Sequence, residues 1–160
     1  QDYQHSRAIV AYQLGKTLSN NGAVSRGLCI VDTKWHLLSV TEHTNIIREN
    51  DKILSLYADT SWELPADTLV SVNFWGFKPE VFDEFLRLFQ GYIEKYSGAE
   101  KAEFYLPSVV SSLIARNQES CQVFNTQENL FGVTYHEDKE IVCQSIGWLI
   151  EKWEYPHVLF

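Results

Sequence analysis

Val40-Thr41-Glu42-His43-Thr44 and, after a polar stretch, Val70-Ser71-Val72-Asn73-Phe74-Trp75-Gly76-Phe77 are the two segments on which the reading of this chain turns. Both are rich in β-branched or aromatic residues, the composition of strands. Each also carries one polar group that needs partners. A carboxylate at a strand end, as at Glu42, accepts two hydroxyl donors in charge-assisted hydrogen bonds. An amide on a buried strand, as at Asn73, must find acceptors and donors of its own. The run Leu69 to Phe77 is nearly all apolar, which predicts a strand buried on both faces. A period of two sets Ser71, Asn73 and Trp75 on one face and Val70, Val72 and Phe74 on the other.

Upstream, Ala8 to Leu14 reads as a strand closed by Gly15. Leu18 to Gly22 is a turn whose Asn21-Gly22 favours positive φ. A second strand spans Ala23 to Asp32, a polar break covers Asp32 to His36, and Leu37 to Glu42 resumes as its antiparallel partner. Thr44 to Asp67 reads as an insertion with short strand-like pieces. Downstream, Pro79 opens a helix with Phe82, Phe85, Leu86, Phe89, Tyr92 and Ile93 on its inner face and Gly98 as its stop. A second helix spans Pro107 to Arg116, short strands follow at Ser120 to Phe124 and Phe131 to Thr134, and a last helix runs from Glu137 to Trp153. Its inward set is Ile141, Val142, Ile146, Leu149 and Ile150. The fold class expected is α/β, a mixed sheet with flanking helices, forming one domain or part of one over residues 1–160.

A chain of 160 residues, 45% hydrophobic and 14% aromatic, has ample material for a core. Its net charge of −8 argues against nucleic-acid binding. No 18-residue apolar run and no signal-peptide pattern is present, so the expected setting is cytoplasmic and away from membranes. Cys29, Cys121 and Cys143 are odd in number and widely spaced, which predicts reduced core thiols rather than disulfides or zinc. The chain opens at Gln1 and contains no Met, so it is expected to be processed, trimmed or excerpted.

The order of these segments resembles the sugar-binding half of the sugar-phosphate nucleotidyltransferases, enzymes of the nucleotide-diphospho-sugar transferase-like fold. Glu42 matches the Glu of their Glu-Lys-Pro-like triplet, which contacts sugar hydroxyls, with His43 in the Lys position and Thr44 in the Pro position. Asn73 matches the Asn of their Asn-x-Gly-like turn, with the glycine displaced to Gly76. The segment Gly22-Ala23-Val24-Ser25-Arg26-Gly27 resembles a Gly-Tyr-Gly-Arg segment beside the sugar, which implies close backbone approach at Gly22 and phosphate pairing by Arg26. Glu103 to Ser108 resembles a Glu-x-x-Leu-Thr-Asp-like helix start whose Asp ligates Mg²⁺ in several members, and Ser108 stands in its place. Phe131 to Asp138 resembles the closing motif of the family, with a structural role. The Gly-rich nucleotide-binding loop with its Arg and Lys is absent from these residues.

The resemblance thus implies a C-terminal half whose partner is a missing N-terminal half. The intact enzyme would use Mg²⁺ to align an NTP with a sugar 1-phosphate and release pyrophosphate, while this chain alone holds no metal and is inert. An exposed sheet edge left by the missing half would favour a homo-oligomer. From the residues alone, Glu42 also reads as a solvated strand-end acid, Asn73 as an amide satisfied by backbone, and Arg26 as exposed in a turn. A non-catalytic carbohydrate-binding or assembly domain is the alternative. The five His residues read as scattered and exposed, and Trp62, Trp75, Trp148 and Trp153 as core more than sugar platforms.

Overall fold

A computed structural model describes residues 7–99, 102–116 and 120–158, so His5 lies outside the described residues. Seven strands, β1 (Arg7–Gln13), β2 (Val24–Val31), β3 (Leu37–Glu49), β4 (Lys52–Tyr57), β5 (Thr60–Leu64), β6 (Leu69–Phe77) and β7 (Cys121–Asn125), form one mixed sheet ordered β5-β4-β3-β2-β6-β1-β7. Neighbours are antiparallel except β1 and β7, which run parallel. Three helices accompany it: α1 (Val81–Tyr96), α2 (Leu106–Ala115) and α3 (Asp138–Glu151).

The sheet curls so that the β2–β3 hairpin tip reaches β7. Asp32 sets the turn after β2, its carboxylate accepting the N–H groups of Lys34 and His36, each at 2.8 Å. The carbonyl of Trp35 then accepts from the backbone N–H of Val123 at 2.8 Å, and His36 bridges to Gln122, so the β2–β3 hairpin tip lies against β7. β4 pairs only with residues 46–49 of β3, leaving the first half of that strand without a neighbour on its outer side. Helix α2 fills the gap. Val40 N–H donates to Ser111 Oγ at 3.0 Å, and the Ser111 hydroxyl donates to the Val40 carbonyl at 2.7 Å, so one side chain serves both backbone groups of an edge residue.

Two cores follow from the alternation of the strands. Ile9, Ala11, Leu37, Val40, Cys121 and Val123 face α2, where Val110 packs among them. The opposite face gathers Leu14, Val24, Ile46, Ile53 and Val70. Val81, Val109 and Leu113, with Phe77, Phe85 and Leu88 against them, join α1 to α2.

Several expectations need correction. The stretch from Thr44 to Asp67 is no loose insertion, since β3 runs on to Glu49 and continues into the β4–β5 meander. Residues Phe131 to Thr134 form no strand; Asp138 gathers this segment instead, accepting from the N–H groups of Thr134 at 3.0 Å and Tyr135 at 2.8 Å. Ser19 and Asn21 donate to the same carboxylate at 2.8 and 2.7 Å, tying α3 to the loop before β2. β6 is not buried on both faces, because its regular alternation breaks at a bulge between Ser71 and Trp75 and Phe74 is 60% exposed. On α1 the apolar stripe is mostly uncovered: Phe82, Leu86, Phe89 and Ile93 are exposed, Phe85 and Tyr92 half-buried. Ile141 of α3 is exposed, as are Cys143, Trp62, Trp148 and Trp153, so of the four tryptophans only Trp75 is half-buried. The helices pack against parts of the sheet rather than sandwiching it, and that is why sequence patterns of burial overstate burial here. All three thiols are free, as expected, and burial pushes Cys29 and Cys121 up to about 12.

Replacing Ser111 with Ala should leave the Val40 N–H and carbonyl unsatisfied and destabilise the fold by about 1–3 kcal/mol in denaturant unfolding; a change within error would show that the clasp carries no weight. Asp138 is held down to about 2 by its hydrogen bonds, the Tyr135 N–H foremost. A depressed carboxylate contributes stability that is present above its ordinary value near 3.8 and is lost as pH falls towards about 2. Acid unfolding followed by circular dichroism should therefore lose this component in Asp138→Asn.

Candidate functional site

Gly27, in the middle of β2, is where the site begins. It pairs with Glu42 of β3 on one side and Ser71 of β6 on the other, and paired residues in antiparallel strands point to the same face. A Cβ at Gly27 would lie 2.8 Å from Val40 Cγ2, 3.2 Å from Ser71 Cβ and 3.4 Å from Glu42 Oε2, so only glycine fits beneath the Glu42 carboxylate. Glu42 is half-buried there, on the α2 side of the sheet.

Its electrostatics are unbalanced. Burial raises the Glu42 pKa, the Arg26 charge opposes that, and Glu103 raises it further. No hydrogen bond contributes, and among the described residues no cation lies within ion-pair distance of this carboxylate. Glu103, whose charge also acts on Glu42, raises the Tyr105 pKa, with a smaller contribution from Glu42.

Asn73 lies two residues beyond Ser71 on β6, separated from β3 by β2, so it stands two strand spacings, about 10 Å, across the sheet from Glu42. It is exposed, at φ 63°, and its N–H donates to Ser71 Oγ at 3.1 Å. Asn tolerates this left-handed conformation better than most residues, which explains its place at the apex of the bulge. The hydroxyl of Ser71 thereby links Asn73 to the Gly27–Glu42 row.

The other three expected residues are not brought to Glu42. Arg26 and His43 form the next cross-strand pair, one residue along, and so point to the opposite face. Arg26 donates to the carbonyls of Ser25 at 2.6 Å and of Thr17, and burial lowers its pKa. It lines a cavity of 90 Å³ with Thr17, Val24 and Asp138, well below the roughly 300 Å³ of a ligand pocket. His43 Nδ1 meets Ser55 Oγ at 2.7 Å. Gly22 packs against Tyr135, whose hydroxyl donates to the Ala23 carbonyl at 2.7 Å; a Cβ at Gly22 would come within 2.5 Å of that hydroxyl.

Among the described residues no group of three or more His, Cys, Asp or Glu is placed to hold a metal ion, and Ser108 is an exposed neutral hydroxyl, a poor ligand for a hard cation. The reading of the sequence passed over Gly27, Ser71, Glu103 and Tyr105. A glycine in the middle of a strand was the available signal for the first. No family model matches the chain, and no curated protein matches it.

The raised Glu42 pKa carries a definite sign. A carboxylate whose folded pKa exceeds its ordinary value near 4.5 favours the fold while protonated and costs stability as pH rises through the folded pKa. Glu42→Gln should accordingly be as stable as the parent at pH 4 and more stable at pH 7 in urea unfolding. Lower stability at pH 7 would mean that the carboxylate is a structural partner rather than a group held at a cost.

Proposed function

We propose that this chain is the sugar-binding portion of a nucleotidyltransferase-like α/β domain, with Glu42 accepting hydrogen bonds from vicinal hydroxyls of a sugar 1-phosphate. One observation carries the reading. A half-buried carboxylate with unused acceptor capacity lies over a glycine that leaves its surface open. Sugar hydroxyls are the donors it lacks, and each such bond to a charged acceptor is stronger than one between neutral groups. Asn73, presented at its bulge, offers an amide for the same ligand. The mixed α/β sheet with three helices supports a fold of this general class.

In the proposed intact enzyme the phosphate oxygen of the sugar attacks the α-phosphorus of an NTP and expels pyrophosphate, chemistry that rests on positioning and charge neutralisation. This chain contributes the positioning of the sugar. Arg26 and His43, on the far face, brace the β2–β3 pair and leave phosphate binding to residues outside this chain.

The uncovered apolar surface fits the same reading. Ile30, Leu38 and Phe124 are exposed on the sheet face away from α2, in addition to the α1 stripe. A second half of the domain would cover part of it, and the chain by itself would associate through it.

Three outcomes test the proposal. Calorimetry should detect binding of a hexose 1-phosphate, weakened roughly tenfold or more in Glu42→Gln; equal affinity in the variant would remove Glu42 from the site. No pyrophosphate should be released from an NTP and a sugar 1-phosphate by this chain alone, whereas release abolished by Glu42→Ala would overturn the assignment of catalysis to another half. Sedimentation at micromolar concentration should give a dimer or larger, and a clean monomer would contradict the proposed association.

A further inference from the structure

A concavity of 820 Å³ lies between α1 and α2, within the roughly 300–1,000 Å³ that small-molecule sites occupy. Its floor is a run of packed rings. Tyr92 lies 4.8 Å from Tyr96 and 5.1 Å from Phe104, centroid to centroid. Lys95 Nζ sits 5.0 Å from the centre of the Tyr96 ring. Among the described residues, Arg87, Lys95 and Arg116 line the groove with one acid, Glu103, in a chain whose net charge is −8. Arg87 is held in place by Glu84, with contacts of 2.6 and 3.2 Å to one carboxylate oxygen.

We propose that this groove binds a small planar aromatic anion, a ring system bearing one phosphate or carboxylate. The aromatic floor offers stacking and edge-to-face surface to a flat apolar body. The cations at the rim supply charge-assisted donors to an anionic group, and Arg116 presents the forked donors that match phosphate or carboxylate oxygens, while Arg87 is paired with Glu84. An inorganic anion alone would leave the rings unused, and a neutral arene would leave the cations unused. The inference does not rest on the assignment of Glu42. The groove adjoins that residue only through Glu103 and Tyr105, and its cations are not part of the sugar site.

The test uses 2-naphthyl phosphate as the probe, titrated into the full 160-residue chain with fluorescence detection. The expected result is saturable binding that weakens with added salt and is roughly tenfold tighter than that of uncharged 2-naphthol. Arg116→Ala combined with Lys95→Ala should weaken it by a similar factor while leaving the circular dichroism spectrum unchanged. Excess hexose 1-phosphate should leave binding of the probe unchanged, which separates failure of this site from failure of the sugar reading. Amide shifts in the parent chain should concentrate at residues 87–96 and 102–116, a readout that needs no variant. Absence of saturable binding, equal affinity for 2-naphthol, full affinity in the double variant, or shifts located elsewhere would each overturn the proposal.

Discussion

The arrangement of the molecule depends on how the inner half of β3 is satisfied on its outer side. An edge strand with free N–H and carbonyl groups must find partners, and β4 reaches only the far end of β3. Ser111 of α2 supplies both contacts at Val40. That clasp fixes α2 against the curled sheet and brings the segment before it, with Glu103 and Tyr105, within electrostatic reach of Glu42. The hairpin tip closing on β7 works to the same end, since it curves the sheet around the core that α2 covers.

Within that frame, strand alternation separates two roles. The Glu42, Gly27 and Ser71 row carries a half-buried carboxylate whose pKa is raised by burial, with the Arg26 charge opposing. The adjacent Arg26 and His43 row turns inward to Thr17 and Ser55, beside a core of Val24, Ile46 and Val70. An acid kept half-buried without a donor costs stability in the absence of a ligand, and functional groups commonly carry such a cost. The opposite economy holds at Asp138, where four donors converge and the carboxylate ties α3 to the sheet.

The strands and helices were legible because their periods are local: β1, β2, β6, α1, α2 and β7 lie within a residue or two of where their patterns place them. The two-residue widening at Asn73 left no mark in composition, since Val72, Phe74 and Trp75 all suit a strand. Burial was overstated on α1 and α3 because amphipathic spacing tells which face could be covered, not whether anything covers it. Grouping Glu42 with His43 failed for an elementary reason: consecutive residues of a strand point to opposite faces. The place of Glu103 and Tyr105 was invisible because the clasp that positions them joins residues 40 and 111, and no local pattern encodes a contact of that range.

In the proposed sugar-binding role, the half-buried Glu42 carboxylate would gain from sugar hydroxyls the donors that the described residues do not give it. Carbon-13 NMR titration of that carboxyl group, with and without saturating hexose 1-phosphate, tests it most directly. The account predicts a pKa above the ordinary glutamate value in the free chain and a fall on ligand binding, because hydroxyl donors favour the charged form. An ordinary pKa in the free chain, or one that the ligand leaves unmoved, would contradict it.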